Sequence, residues 1–115
     1  MGRLLQFAGS LIGAAGVATA AAAAHAGGGN LGTASTMLLV HAPAFLAVGL
    51  TAPATRRPVD LAAVLLLVGV VIFCGDLLAR HYLGSRLFPY SAPIGGSLMI
   101  AGWIAVAITA LARRN

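Results

Sequence analysis

Four polar side chains that could do chemistry lie within or beside long apolar stretches of the sequence. They are His25, His41, Cys74 and Asp76. Imidazole, thiolate and carboxylate groups are all ligands for zinc or copper, and histidine and carboxylate side chains inside membranes also relay protons. The four residues define a candidate polar patch, which would be a transition-metal site, a proton-relay pair or a contact for a quinone or haem.

A structural interpretation explains the same four side chains. His25 would lie at the membrane interface, and His41 would hydrogen-bond a neighbouring helix. Asp76 precedes Arg80 by four residues, which is the favoured spacing for an ion pair on a helix. No HxxxH, CxxC or HExxH spacing accompanies the patch. We therefore favour the structural interpretation and predict no metal site and no cofactor.

Membrane-spanning helices are the elements that must position these residues. The chain has 115 residues, 60% hydrophobic and 8% charged, whereas soluble domains carry about 25% charged residues. One spanning helix needs about 20 apolar residues, and suitable runs occupy about 4–24, 33–52, 59–78 and 94–111. We predict an all-α integral membrane bundle of four transmembrane helices, forming a single domain over 1–115.

The arginines predict how the bundle is oriented. With four crossings, one side of the membrane holds both termini and the loop between helices two and three. That side carries Arg3, Arg56, Arg57, Arg113 and Arg114, and the other side carries Arg80 and Arg86. The positive-inside rule then predicts a cell inner membrane protein with both termini in the cytoplasm. Because the arginines are scattered between apolar runs, we do not expect nucleic acid binding.

This topology places the candidate polar patch in the outer half of the bilayer. His41 would lie about 12 Å inside helix two, and Cys74 and Asp76 would lie near the outer end of helix three. If the first three helices are neighbours, these side chains could converge on one site.

Small residues predict where helices approach each other, since they let backbones come close in lipid. Gly9 and Gly13 form a GxxxG, and Gly16, Ala20 and Ala24 form a second stripe on another face of helix one. In helix four, a third stripe has the same spacing: Ser97, Ala101, Ala105 and Thr109. The glycines expected to pack are Gly9, Gly13, Gly16, Gly95, Gly96 and Gly102. The contacts would lie inside one bundle or between two copies of the chain.

Several segments resemble one family. Its small-residue opening helix resembles Gly9–Val17 and the run to His25, and its second helix resembles Met37–His41. A Phe-Ser-Gly-Ser-Leu stretch of the family resembles Phe73-Cys74-Gly75-Asp76-Leu77. The most specific match is Pro93-Ile94-Gly95-Gly96 followed by Ala101-Gly102-Trp103. The sequence is therefore similar to the domain of unknown function 423, or YgdD-like, family of small four-helix membrane proteins.

The resemblance implies an architecture more firmly than an activity. Cys74 and Asp76 stand where the family pattern has serines, and Pro43 follows the histidine of helix two. Arg3, the first apolar run and Ala24-His25-Ala26 also resemble a secretory signal peptide. Since the family keeps this segment as a permanent helix, we expect it to be retained.

No enzyme motif appears in the sequence. It has no nucleophile with a base and an acid at recognisable spacing, no phosphate-binding glycine loop and no CxxCH. We predict a non-enzymatic membrane protein that is an accessory or assembly component of a membrane complex. Its partners would be the lipid bilayer and other membrane-protein subunits or a second copy. The alternatives are a small-solute or ion pathway, and a metal- or quinone-linked redox protein, either using the polar patch.

Overall fold

Four long helices form the described part of the protein. The structure, a computed structural model, describes residues 1–27, 29–50 and 56–112, with side chains from Pro58 onward in the last range. The helices are α1 Gly2–Ala26, α2 Gly29–Gly49, α3 Arg56–Tyr82 and α4 Ser91–Ala112. All four are long and apolar enough to cross a membrane, and the described residues contain no strand. The predicted all-α class with four spanning helices is confirmed.

The helix ends differ from the apolar runs by a few residues. The largest difference is in α3, which continues past residue 78 to Tyr82. The predicted helix stopped at residue 78 because the polar residues Arg80 and His81 follow the apolar run. Arg80 pairs with Asp76 one turn earlier, and because such pairs stabilise a helix, α3 continues through them. Helix α2 begins at Gly29 and ends at Gly49; residues 51 and 52, which the prediction included, lie outside the described residues.

Helices α1 and α2 pack chiefly on each other, and so do α3 and α4. The connections make two antiparallel hairpins, α1–α2 and α3–α4, which meet through α2 and α3. Among the described residues, α1 and α4 share no extended contact. The bundle is therefore open, with α2 and α3 in the centre and α1 and α4 at the edges.

Glycines set the spacing in the α1–α2 hairpin. A Cβ added at Gly9 would lie 3.1 Å from the carbonyl oxygen of Ala42, and one at Gly16 would lie 2.8 Å from the side chain of Leu39. A Cβ at Gly13 would lie 3.5 Å from that of Ala42, an ordinary contact.

The placement of Gly16 on another face of α1 was wrong. Gly16 follows Gly9 by seven residues, which is about two helical turns, so both glycines meet α2. Of the residues predicted to share a stripe with Gly16, Ala20 is half-buried and Ala24 is exposed.

The two helices of the α3–α4 hairpin approach each other more closely than those of α1–α2. A Cβ at Gly95 would lie 2.6 Å from the backbone nitrogen of Phe73, and one at Gly102 would lie 2.7 Å from the side chain of Leu66. A Cβ at Gly96 would meet only the ring of Phe73, at 3.9 Å. The stripe predicted in helix four faces largely away from this contact, since Ser97 and Ala101 are exposed.

Candidate functional site

Asp76 is the centre of a buried hydrogen-bond cluster. Helix α3 places it one turn before Arg80, whose Nε donates to Asp76 Oδ2 at 2.7 Å. The other carboxylate oxygen, Oδ1, accepts from the backbone N–H of Leu87 at 2.9 Å and from the hydroxyl of Ser91. The side chain of Asp76 is fully buried. The predicted Asp76–Arg80 pair is confirmed, and both carboxylate oxygens are engaged.

The loop after α3 folds around this carboxylate. Gly84 has a φ of +76°, in the left-handed region that glycine adopts without a steric penalty. Tyr90 also has a positive φ, +64°, and Ser91 begins α4 with its N–H donating to the carbonyl oxygen of Phe88 at 3.1 Å. Asp76 thus ties the end of α3, the middle of the loop and the start of α4 together. We call this end of the protein, where α3 connects to α4, the loop end.

His41 belongs to a second polar contact, at the middle of α2. Its Nδ1 is 2.7 Å from the carbonyl oxygen of Met37, and its Nε2 is 3.0 Å from the indole Nε1 of Trp103 in α4. Since an indole N–H can only donate, Nε2 accepts and Nδ1 carries the proton. His41 is only 3% exposed. Both ring nitrogens are engaged in a neutral imidazole that connects α2 with α4.

Cys74 and His25 have simpler surroundings. Cys74 is buried at the α2–α3 contact, with its Sγ 3.8 Å from the carbonyl oxygen of Ala34. His25 is exposed in the last turn of α1.

The four residues of the candidate polar patch do not converge. The His41 contact involves Trp103, whose neighbour Gly102 packs on Leu66 of α3. Leu66 precedes Asp76 by ten residues, so the His41 contact and the carboxylate lie about 15 Å apart along α3. Cys74 lies beside Ala34, about 10 Å along α2 from His41.

The described residues provide no preformed metal site. They contain no group of three His, Cys, Asp or Glu side chains that could hold a metal ion. Their buried side-chain nitrogen and oxygen atoms all have hydrogen-bond partners. Chemically, the arrangement of the described residues holds helices in register, and its buried side-chain nitrogen and oxygen atoms already have partners within the chain.

Sequence reasoning missed several residues that the fold uses. Ser91 lies outside the predicted fourth helix, 94–111, although a hydroxyl beside the start of a helix is a recognisable capping signal. Trp103 was noted only for the family resemblance, although an indole N–H inside a membrane helix needs an acceptor. Asp60, the second acidic residue, was overlooked and is buried in α3. Gly49 and Gly69 also lie at close helix contacts.

Comparisons with known proteins give a family. A family model described as "Protein of unknown function (DUF423)" matches residues 12–96. A UPF0382 membrane protein of Haemophilus influenzae is 35% identical over 69 residues, which cover 60% of this chain and 56% of that protein. A UPF0382 membrane protein of Staphylococcus epidermidis is 35% identical over 78 residues, covering 68% and 64%.

These relatives are matched over only part of their length. The chain spans less than two thirds of each of these two curated relatives. No solved structure matches. The matched region contains the Asp76 cluster and His41, whereas Trp103 lies beyond residue 96.

Proposed function

The chain belongs to the DUF423 family of proteins of unknown function, and on that premise we propose that this membrane protein is a non-enzymatic component of a larger membrane complex. Its role there would be accessory or assembly-related. The observation that carries the proposal is a contrast within the described residues. The buried polar groups are satisfied internally, whereas the two edge helices expose long apolar faces.

The chemistry of the polar residues favours a structural role. A general acid, base or ligand must present a free donor or acceptor to its substrate. Both oxygens of Asp76 and both ring nitrogens of His41 are instead engaged within the chain. These groups act as fixed contacts between helices.

The edge helices favour assembly with other proteins. In the most apolar stretch of each edge helix, few residues are buried: 22% of them in α1 and 17% in α4. The corresponding shares in the central helices are 39% in α2 and 44% in α3. On α4, a shallow groove of about 430 Å³ is lined by Pro93, Ile94, Ser97, Leu98 and Ala101. Small residues on a lipid-facing surface allow another helix to approach closely.

The orientation in this proposal rests on the sequence. Both termini would be cytoplasmic in a cell inner membrane, because five of the seven arginines would then lie inside. Arg3 is exposed at one end of the bundle, and Arg80 and Arg86 lie at the loop end. The side chains of Arg56, Arg57, Arg113 and Arg114 lie outside the described residues.

A photo-crosslinking experiment tests the proposal. A benzophenone amino acid is placed at Ala101 on the open face of α4, or at Val68 on the exposed face of α3. These positions lie at similar depth, because Gly69 packs against Met99. After irradiation in cells and mass spectrometry, Ala101 should give one reproducible protein adduct that Val68 does not. Lipid adducts alone from both positions would contradict an assembly role.

The pathway alternative has its own measurement. If the chain conducts ions or small solutes through His41, proteoliposomes should show a flux that the parent chain supports and His41→Ala abolishes. Our proposal expects no flux above that of empty liposomes for either chain.

A further inference from the structure

Among the described residues, the guanidinium of Arg80 is hydrogen-bonded through one nitrogen. Its Nε donates to Asp76, and the side chain is 37% exposed. In the part of the chain that the structure describes, the hydrogen bond of Arg80 is made by Nε, and none is made by its two terminal nitrogens. The carboxylate that holds it is itself fixed by Leu87 and Ser91. Arg80 therefore presents its two terminal NH2 groups, preorganised, at the loop end.

A second arginine is anchored through the same carboxylate. Arg86 directly precedes Leu87, whose N–H donates to Asp76 Oδ1 at 2.9 Å. The side chain of Arg86 is exposed. Because the backbone N–H of Leu87 and the Arg80 guanidinium contact the two oxygens of one carboxylate, the backbone of Arg86 lies beside the carboxylate that holds Arg80.

The charge around these arginines favours an anion. The sequence contains only two acidic residues, and both Asp60 and Asp76 are buried. No acidic side chain is exposed to compete for Arg86, and the negative charge of Asp76 lies behind the Arg80 guanidinium with which it pairs.

The surroundings of the arginines place that anion at a membrane surface. Tyr82, Leu83, Phe88 and Tyr90 are exposed on the same loop end, from 38% to 78%. Tyrosine side chains favour the boundary between hydrocarbon and lipid headgroups. Arginine side chains in this boundary lie at the level of the lipid phosphates, which a guanidinium binds with two parallel hydrogen bonds.

We propose that Arg80 and Arg86 form a binding site for the phosphate of an anionic phospholipid. The terminal nitrogens of Arg80 donate to two phosphate oxygens, and Arg86 adds charge and further donors. The aromatic side chains of the loop lie against the glycerol and upper acyl chain. Asp76 is a positioning residue that orients Arg80 and does not contact the lipid.

Lipid binding to purified protein in a non-ionic detergent tests the site. The probes are phosphatidylglycerol and phosphatidylcholine, and bound lipid is counted by native mass spectrometry over a concentration series. The parent chain should retain one phosphatidylglycerol in preference to phosphatidylcholine. Arg86→Gln should weaken that binding about fivefold, the effect of one surface arginine near anionic lipid. Arg3→Gln, which removes an exposed arginine from the opposite end, is the matched control and should bind like the parent.

Arg80→Lys separates geometry from charge. Lysine keeps a positive charge near Asp76 but lacks the paired terminal nitrogens, so phosphatidylglycerol binding should weaken while folding is kept. If Arg80→Lys does not fold, Arg86→Gln still decides, since the side chain of Arg86 is outside the Asp76 cluster.

Three results would overturn the site. They are equal binding of phosphatidylcholine, equal loss with Arg3→Gln and Arg86→Gln, and full displacement of the lipid by millimolar inorganic phosphate. The last result would indicate a site for free phosphate.

Discussion

The α1–α2 and α3–α4 hairpins each hold two antiparallel helices together, but with different contacts. Both bring helix backbones together at glycines. At the connection of α3–α4, a buried carboxylate also joins both helices and the loop between them. In α1–α2, the hydroxyls of Ser10 and Thr19 bond the carbonyl oxygen four residues earlier in the same helix.

This difference teaches what fixes the register of each hairpin. In α3–α4, the Asp76 cluster and the glycine contacts specify the same alignment independently. In the described part of α1–α2, a side-chain hydrogen bond crosses between the helices from Gln6 Nε2 to the carbonyl oxygen of Gly49, and it is long, at 3.4 Å. We therefore expect α3–α4 to be the hairpin that tolerates substitution least.

The largest effect is expected at Gly95. Gly95→Ala would place a Cβ 2.6 Å from the backbone nitrogen of Phe73, and backbone cannot move aside as a side chain can. Overpacking of this kind destabilises by about 1–3 kcal/mol, and we expect the upper part of that range. The measurement is SDS-induced unfolding in mixed micelles.

Gly96→Ala is the matched control for Gly95→Ala. Its Cβ would meet only the ring of Phe73 at 3.9 Å, so we expect little change in the free energy of unfolding. Equal effects of the two substitutions would show that α3 and α4 are farther apart than the structure has them.

The next effect is expected at the carboxylate. Asp76→Asn removes the charge that Arg80 pairs with and places an amide group where three donors point. Losing hydrogen bonds to a charged group lowers stability by about 1.5–3 kcal/mol, and we expect about 2 kcal/mol. The free energy of unfolding, again from SDS titration, provides the measurement.

Ser91→Ala sharpens the test of the carboxylate. It removes one donor to the charged Asp76 carboxylate and keeps the charge pair, so we expect a loss of about 1.5 kcal/mol, the low end of the range for hydrogen bonds to charged groups. If Asp76→Asn changes stability no more than Ser91→Ala does, the charge of Asp76 contributes nothing to the hairpin.

The sequence predicts the Asp76–Arg80 pair but not the rest of the cluster. The pair is local, because four residues on one helix determine it. The partners Leu87 and Ser91 lie 11 and 15 residues away, and their positions depend on the path of the loop. No spacing of residues in the sequence predicts that path. Gly84 indicates only that the chain turns there.

The same distinction explains the glycines and His41. Composition predicts that glycines lie at helix contacts in lipid, but the side of a helix is decided by its partner. Gly16 was therefore placed on the wrong face. The partner of His41 is 62 residues away, on Trp103, and only the arrangement of the helices brings them together.

A smaller effect is expected for the contact between His41 and Trp103. Trp103→Phe keeps a ring but removes the N–H that donates to His41 Nε2. Hydrogen bonds between membrane helices contribute about 0.6 kcal/mol on average and at most about 1.7, so we expect a loss below 1 kcal/mol. Unfolding of the parent, Trp103→Phe, His41→Leu and the double variant gives the coupling between the two residues. A coupling of zero would mean that the side chains do not interact.

The smallest effect is expected in α1, where Gly16 makes a close contact with α2 and Gly13 makes an ordinary one. The Cβ added by Gly13→Ala would lie 3.5 Å from that of Ala42, which requires no movement. Alanine is favoured over glycine inside a helix by about 0.8–1.0 kcal/mol in water, so stability should stay the same or rise slightly.

Gly16→Ala adds the same methyl group 2.8 Å from the side chain of Leu39. Leu39 is 38% exposed and can turn toward lipid, so we expect a loss below that of Gly95→Ala. Both variants are measured by SDS titration beside Gly32→Ala, whose added methyl would meet nothing within 4 Å. If Gly13→Ala destabilises more than Gly16→Ala, α1 approaches α2 more closely at Gly13 than at Gly16, which contradicts the packing of this hairpin.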